Sequence, residues 1–255
     1  MKLFIQILMV VFMIQIFSSA SANVTDNGYI EAEGVVYPEE GKSLNQLRRI
    51  AIMDAYRYLA EQVDTLYVSS KTTVKNLCEL DDEINSKVEA ALRGAKIVSA
   101  APQSDGSFHA TVRMSLYGSN QSLAAAVLKD DIVTEDFLKP MLTNVRSEIQ
   151  YTGLVIDCRG LNLAPALTPE IKSSGGAVIY AYKNVGYQNA VEKGMSDYSA
   201  AVEDSARAGS SPLIVKAVKV SDSCDVIVSD EDADKILAAN QSANILANCA
   251  VVLVR

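Results

Sequence analysis

The 255-residue chain has no tryptophan, a single histidine, four cysteines and six prolines. One histidine excludes every metal motif built on two of them and leaves few designs for proton shuttling. Cys78, Cys158, Cys224 and Cys249 are widely spaced, with no Cys-x-x-Cys pair, so no metal centre is expected from them. Positive charge is also short: 23 Lys and Arg stand against 31 Asp and Glu, a net charge of −8. That balance makes no phosphate-seeking field, and nucleic acid is not an expected partner. Walker A, Gly-x-Gly-x-x-Gly and Gly-x-Ser-x-Gly patterns are all missing, which removes the commonest nucleotide and hydrolase signatures. No cofactor and no catalytic residue is therefore assigned, and a non-enzymatic role is expected. What remains is an ordinary globular composition, 49% apolar and 21% charged, which supports a packed core in one large domain or two small ones.

The long apolar run that does occur stands at the amino terminus. Lys2 gives a small positive start, Leu3 to Phe17 is apolar apart from Gln6 and Gln15, and Ser18-Ser-Ala-Ser-Ala22 follows. Small residues at the −3 and −1 positions predict cleavage between Ala22 and Asn23, so residues 1–22 read as a signal peptide rather than an anchor. No cysteine follows it, so no lipid anchor is expected. Cleavage leaves 22 basic and 31 acidic residues, a net charge of −9. No later run is long and apolar enough to span a bilayer. The expected location is outside the cytoplasm, in the periplasm or associated with the outer membrane.

Two small α+β domains are predicted after the leader, over 23–118 and 146–255, joined by a helical connector over 119–145. In the first, Tyr29–Tyr37 is strand-like, and Ser43-Leu-Asn-Gln46 is a capping box opening a helix with Leu44, Leu47, Ala51, Ala55, Leu59 and Val63 at helical spacing. A β-rich run covers Thr65–Val74, a second helix runs from Asp81 or Asp82 to Arg93, and Asp105-Gly106 turns a closing hairpin. The second domain is read as strands at Gly153–Asp157, Gly176–Lys183, Leu213–Val220, Val226–Val228 and Ala250–Val254. Helices are expected at Asn189–Ala208 and from a Ser229 cap to about Leu246.

Ile50-Ala-Ile-Met-Asp-Ala-Tyr-Arg-Tyr-Leu-Ala-Glu-Gln-Val63, with Leu66-Tyr-Val-Ser-Ser-Lys-Thr-Thr-Val74, resembles the amino-terminal domain of the lipoprotein-20 family and of flagellar assembly protein T. There an alanine-rich helix leads into a β segment, a second helix and a hairpin. The resemblance covers about residues 29–117 and implies a bacterial envelope protein, with flagellar assembly as one setting. It transfers no catalytic residue, and the absent lipobox cysteine departs from the lipoprotein members. Tyr151 to Leu161 is similar to a segment of uncharacterised exported bacterial proteins that carry the same first domain.

Few residues invite chemistry. His109 lies opposite Phe108, Ala110, Val112 and Met114 on a predicted strand, which puts it on the solvent face. Asp230-Glu-Asp-Ala-Asp234 offers carboxylates at calcium-loop spacing, but Lys235 stands where the loop needs glycine and Gln241 where it needs glutamate; a helix start explains the same acids. Asp157 and Arg159 follow a buried strand and precede Gly160, the position where α/β sheets bind ligands, and are the candidate ligand-binding pair. Cys224 and Cys249 each precede a strand, and a bond between them would contribute about 3 kcal/mol. The sequence as a whole points to an exported protein that binds or scaffolds envelope proteins or itself. The alternative is small-ligand binding or hydrolysis around Asp157 and Arg159.

Overall fold

A computed structural model of the chain describes residues 28–141, 150–204 and 206–255. The leader and the Ala22–Asn23 cleavage position lie outside the described residues. In Tyr29–Val36 (β1) Ile30 and Ala32 face inward while Glu31 and Glu33 face outward. Leu44–Thr65 (α1) starts at the capping box: Ser43 Oγ accepts from Gln46 N–H, and Gln46 Oε1 accepts from Ser43 N–H at 2.7 Å. Its buried stripe is Leu47, Ala51, Ala55, Leu59 and Val63. The small residues on that stripe let α1 press directly on β1. A Cβ on Gly34 would lie 2.6 Å from Ala55 N and closer still to Ala51 O.

The β-rich run is only partly extended. Tyr67–Ser69 (β2) and Thr72–Thr73 (β3) make a short hairpin. Thr73 Oγ1 then accepts from Asn76 N–H and opens Val74–Leu80 (α2). Val74 is fully buried there, so tertiary packing overrides the β preference of its neighbours. Asp81 caps Asp82–Arg93 (α3) by accepting from Glu83 and Ile84, and Gly94 ends it. Lys96–Pro102 (β4) and Phe108–Ser115 (β5) form the expected hairpin, with Gly106 at φ +83°. β5 is the centre of an antiparallel sheet in the order β1-β5-β4. Leu123–Val127 (α4) supplies Leu123, Ala126 and Val127 to the core beneath it.

The carboxy-terminal half is built on strands. Leu154–Asp157 (β6), Ile171–Ser173 (β7) and Val178–Tyr180 (β8) precede the short helices Tyr182–Val185 (α5) and Tyr187–Lys193 (α6). Asp197–Ser199 (β9), Leu213–Lys216 (β10), Lys219–Ser221 (β11), Asp225–Val228 (β12), Asp230–Ala243 (α7) and Val251–Val254 (β13) complete it. One four-stranded sheet, β10-β6-β13-β9, is parallel throughout. Its central strands are apolar on both faces, as burial on both sides requires. Leu154, Ile156, Val251 and Leu253 face the large core, while Val155, Val252 and Val254 pack with Ala208 on the other side. The second sheet is mixed, in the order β11-β12-β7-β8. Seven helices and thirteen strands among the described residues make the protein α+β. No described helix is long and apolar enough to cross a membrane.

Three expectations are corrected. The helix predicted for Asn189–Ala208 stops at Lys193, because Gly194 takes φ +71°; Asp197–Ser199 then joins the parallel sheet and two 3-10 turns follow. The strand predicted for Gly176–Lys183 is confined to β8 and gives way to α5. Cys224 and Cys249 are not bonded, and all four cysteines are free. The strands these two precede, β12 and β13, belong to different sheets.

The halves meet along a continuous seam. Tyr67 bridges to Ala166, Val68 O accepts from Thr168 N at 2.9 Å and Oγ1 at 2.6 Å, and Leu167 enters the first core. Val191 O accepts from Gly118 N at 2.8 Å. Beside it Tyr117, Asp197 and Arg207 form one hydrogen-bonded cluster.

Candidate functional site

β6 delivers Asp157 to the carboxyl edge of the parallel sheet, and a turn through Gly160 at φ +80° follows. Arg159 folds straight back on it. Nε donates to Oδ1 at 2.9 Å, Nη2 to Oδ2 at 2.8 Å, and the Arg159 backbone N–H to Oδ1 at 3.1 Å. These bonds, the side-chain ones first, hold the Asp157 carboxyl down to about 2. The carboxylate is thereby paired, while two of the five guanidinium donors are used on it and the Arg159 side chain stays half-exposed. A hollow of about 420 Å³ does open at the same sheet edge, but its lining includes Asn162, Tyr198, Ser199 and Arg255 and neither Asp157 nor Arg159. The candidate pair and the hollow thus share the sheet edge without sharing residues.

His109 projects from the outer face of β5, as its strand position required. Its Nδ1 lies 2.7 Å from Glu33 Oε1 and its Nε2 lies 3.1 Å from Ser107 Oγ. Serine, imidazole and carboxylate in series look like a hydrolytic triad. The proton inventory says otherwise, because Ser107 Oγ already donates to Asp105 Oδ1 at 2.6 Å and has no second proton to give His109. Ser107 is also fully buried, where no substrate carbonyl reaches it. The chain of contacts ties the hairpin turn to β1.

The thiols are similarly committed to packing. Burial pushes Cys158 and Cys224 up to about 12 and raises Cys78 and Cys249 as well, the opposite of what a nucleophile needs. Among the described residues no group of three or more His, Cys, Asp or Glu is placed to hold a metal ion. The acids at the start of α7 serve the helix and its neighbours. Ser229 Oγ caps Asp232 N, Asp230 accepts from Gly175 N at 2.7 Å, and Lys235 pairs with Glu231 and Asp232.

A larger hollow lies elsewhere, at one end of the antiparallel sheet where α3, α4 and the Ser119–Ser122 turn approach it. It is an open groove of about 840 Å³, within the size range of ligand sites. Lys87 of α3, Lys96 of β4 and Arg113 of β5 contribute its charge, and among the described residues no Asp or Glu lines it. Lys96 and Arg113 are register partners on the outer sheet face. The Arg113 guanidinium lies 4.8 Å over the Tyr29 ring and pairs with Glu31. Lys87 pairs with Glu83 at 2.8 Å. Lys96 has no carboxylate within 4 Å among the described residues. Sequence reasoning missed this groove because its cations come from three elements far apart in the chain. The one available signal was local, two cations on facing hairpin strands.

Comparison with known proteins reaches the second half. Residues 153–255 match the family model described as Treponema pallidum Tp0624, second domain. The chain is thus similar, from β6 to β13, to a bacterial domain family. No curated protein matches the chain.

Proposed function

We propose that this is a non-enzymatic, exported bacterial envelope protein that works by binding other envelope components, in the periplasm or at the outer membrane. The observation that carries the reading is the 840 Å³ groove, lined by three cations in a protein of net charge −8. Of these, Arg113 and Lys87 pair with Glu31 and Glu83, while Lys96 has no carboxylate within 4 Å among the described residues. A groove whose lining side chains carry positive charge in an otherwise acidic protein suits an acidic partner. The bacterial match over residues 153–255 supports the setting, and so do the leader-like Met1–Ala22 and the resemblance of residues 29–117 to the lipoprotein-20 and flagellar-assembly-T domain. The hydroxyl of Ser107 and the buried thiols are occupied in packing and internal bonds, which favours binding over catalysis. The second reading places a small ligand at the carboxyl edge of the parallel sheet, near Asp157 and Arg159, and draws on the 420 Å³ hollow there. Fractionation of the native host with amino-terminal sequencing tests the first reading. A periplasmic or envelope-bound protein beginning at Asn23 supports it, whereas a cytoplasmic chain that keeps Met1–Ala22 would overturn it.

A further inference from the structure

Resting on that binding role, we infer that the groove takes an anionic oligosaccharide, a polar sugar chain bearing carboxylate or phosphate groups. Charge is the first argument: three cations line the groove and, among the described residues, no acid lines it and Lys96 has no carboxylate within 4 Å. An anion entering there gains the Lys96 ammonium without displacing a carboxylate from it, and finds Arg113 directly across the β4–β5 ladder.

The rest of the lining chooses between anionic ligands. A peptide in a groove is normally held by a sheet edge or by deep apolar pockets for anchor side chains. Here the floor that α3 and α4 contribute is alanine, at 90, 91, 125 and 126, which makes a shallow surface with no such pockets. β4 is an edge strand, but a bulge between Ile97 and Ser99 and the terminal Pro102 interrupt it, and both features discourage strand addition. What the walls do offer is hydroxyl and amide groups, from Ser115, Ser119, Asn120 and Gln121, together with the rings of Tyr29 and Tyr187. Sugar hydroxyls need that mixture of donors and acceptors, and the flat faces of pyranose rings pack on aromatic rings and on small apolar side chains.

The test is titration of the purified mature protein with four probes: oligogalacturonate, a phosphate-bearing malto-oligosaccharide, neutral cello-oligosaccharide and oligoglutamate. Either anionic sugar should bind, and which one binds tells carboxylate from phosphate as the recognised group. The neutral sugar and the peptide should bind at least about tenfold more weakly. Lys96→Glu, on an exposed strand edge, should weaken the anionic sugar by about tenfold or more. Asn120→Ala with Gln121→Ala should weaken it without changing its salt dependence. Oligoglutamate binding as tightly as the sugars would overturn the inference, because the groove would then read charge alone. No binding of either anionic sugar, or binding that Lys96→Glu leaves unchanged, would overturn it too. An envelope location with a processed Asn23 terminus would still stand in that event, so the two readings fail separately.

Discussion

The Tyr117 hydroxyl accepts a hydrogen bond from Arg207 Nη2 at 2.7 Å and donates its own proton to Asp197, which also pairs with Arg207 Nε at 2.8 Å. Tyr117 leaves the end of β5 in the first half; Asp197 and Arg207 belong to the second. Burial above all pushes the Tyr117 phenol above its ordinary range, so it remains a donor throughout the working pH range. Arg207 spends its other protons on the carbonyls of Lys193, Gly194 and Cys249. The cluster therefore fastens the halves and at the same time fixes the chain around the short strand β9.

Removing Arg207 leaves Asp197 largely buried without its cation. Arg207→Ala should cost about 3–5 kcal/mol, the usual price of stranding one member of a buried pair. Tyr117→Phe keeps the ion pair and removes one donor to a carboxylate, so it should cost roughly 1.5–3 kcal/mol. Urea denaturation of both variants checks the order. Equal losses, or no loss, would mean that the seam is held by its apolar contacts instead.

Two glycines should respond to alanine for different reasons. At Gly34 the added methyl would collide with the backbone of α1 at Ala51 and Ala55. Neither strand nor helix can retreat without opening the core, so Gly34→Ala should destabilise by about 3 kcal/mol, the upper range for overpacking. At Gly160 nothing lies near the new methyl, but φ is +80°, and the cost should be only about 1–2 kcal/mol of backbone strain. Thermal melting of the two proteins separates these cases. A Gly160 variant less stable than the Gly34 variant would contradict the steric account.

Local rules were legible wherever one element carries its own signal. Ser43 and Gln46 mark the first helix, Asp81 or Asp82 the one that ends at Arg93, Asp105-Gly106 the hairpin, and the Phe108–Met114 alternation places His109 outside. The rules failed where a long-range contact decides. Val74 starts a helix because it is buried, not because threonine and valine prefer one. Asp197-Tyr-Ser199 was hidden inside a helix-compatible run, and only its place beside β13 makes it a strand. The groove and the Tyr117 cluster share that property. Their residues are ordinary in sequence and acquire meaning from elements brought together across the fold.

Cysteine chemistry offers a direct check on one corrected expectation. With Cys158 and Cys224 pushed up to about 12 by burial, alkylation of the native protein at about pH 8 should be slow at both, since the thiolate is the reacting form. Cys78, half-buried on α2, should react first. After unfolding without reductant, mass spectrometry should find adducts on all four cysteines. Two adducts, with Cys224 and Cys249 protected, would restore the disulfide that the sheet arrangement separates.

Acid unfolding should carry the signature of Asp157. Its carboxyl sits at about 2 in the folded protein, held by Arg159, against about 3.9 in an unfolded chain. Because the folded value is the lower one, the pair stabilises above about pH 4, and that increment disappears as pH falls toward 2. Arg159 is half-exposed, so solvent screening limits the increment to about 1 kcal/mol or less. Asp157→Asn should therefore lower stability slightly at neutral pH and flatten the stability profile between about pH 4 and pH 2. A ligand seated on the pair would behave differently: the same substitution would abolish ligand-induced stabilisation while leaving the acid profile of the free protein dominated by other groups. Measuring melting temperature against pH, with and without candidate ligands, decides whether this turn is a structural clasp or the mouth of a site.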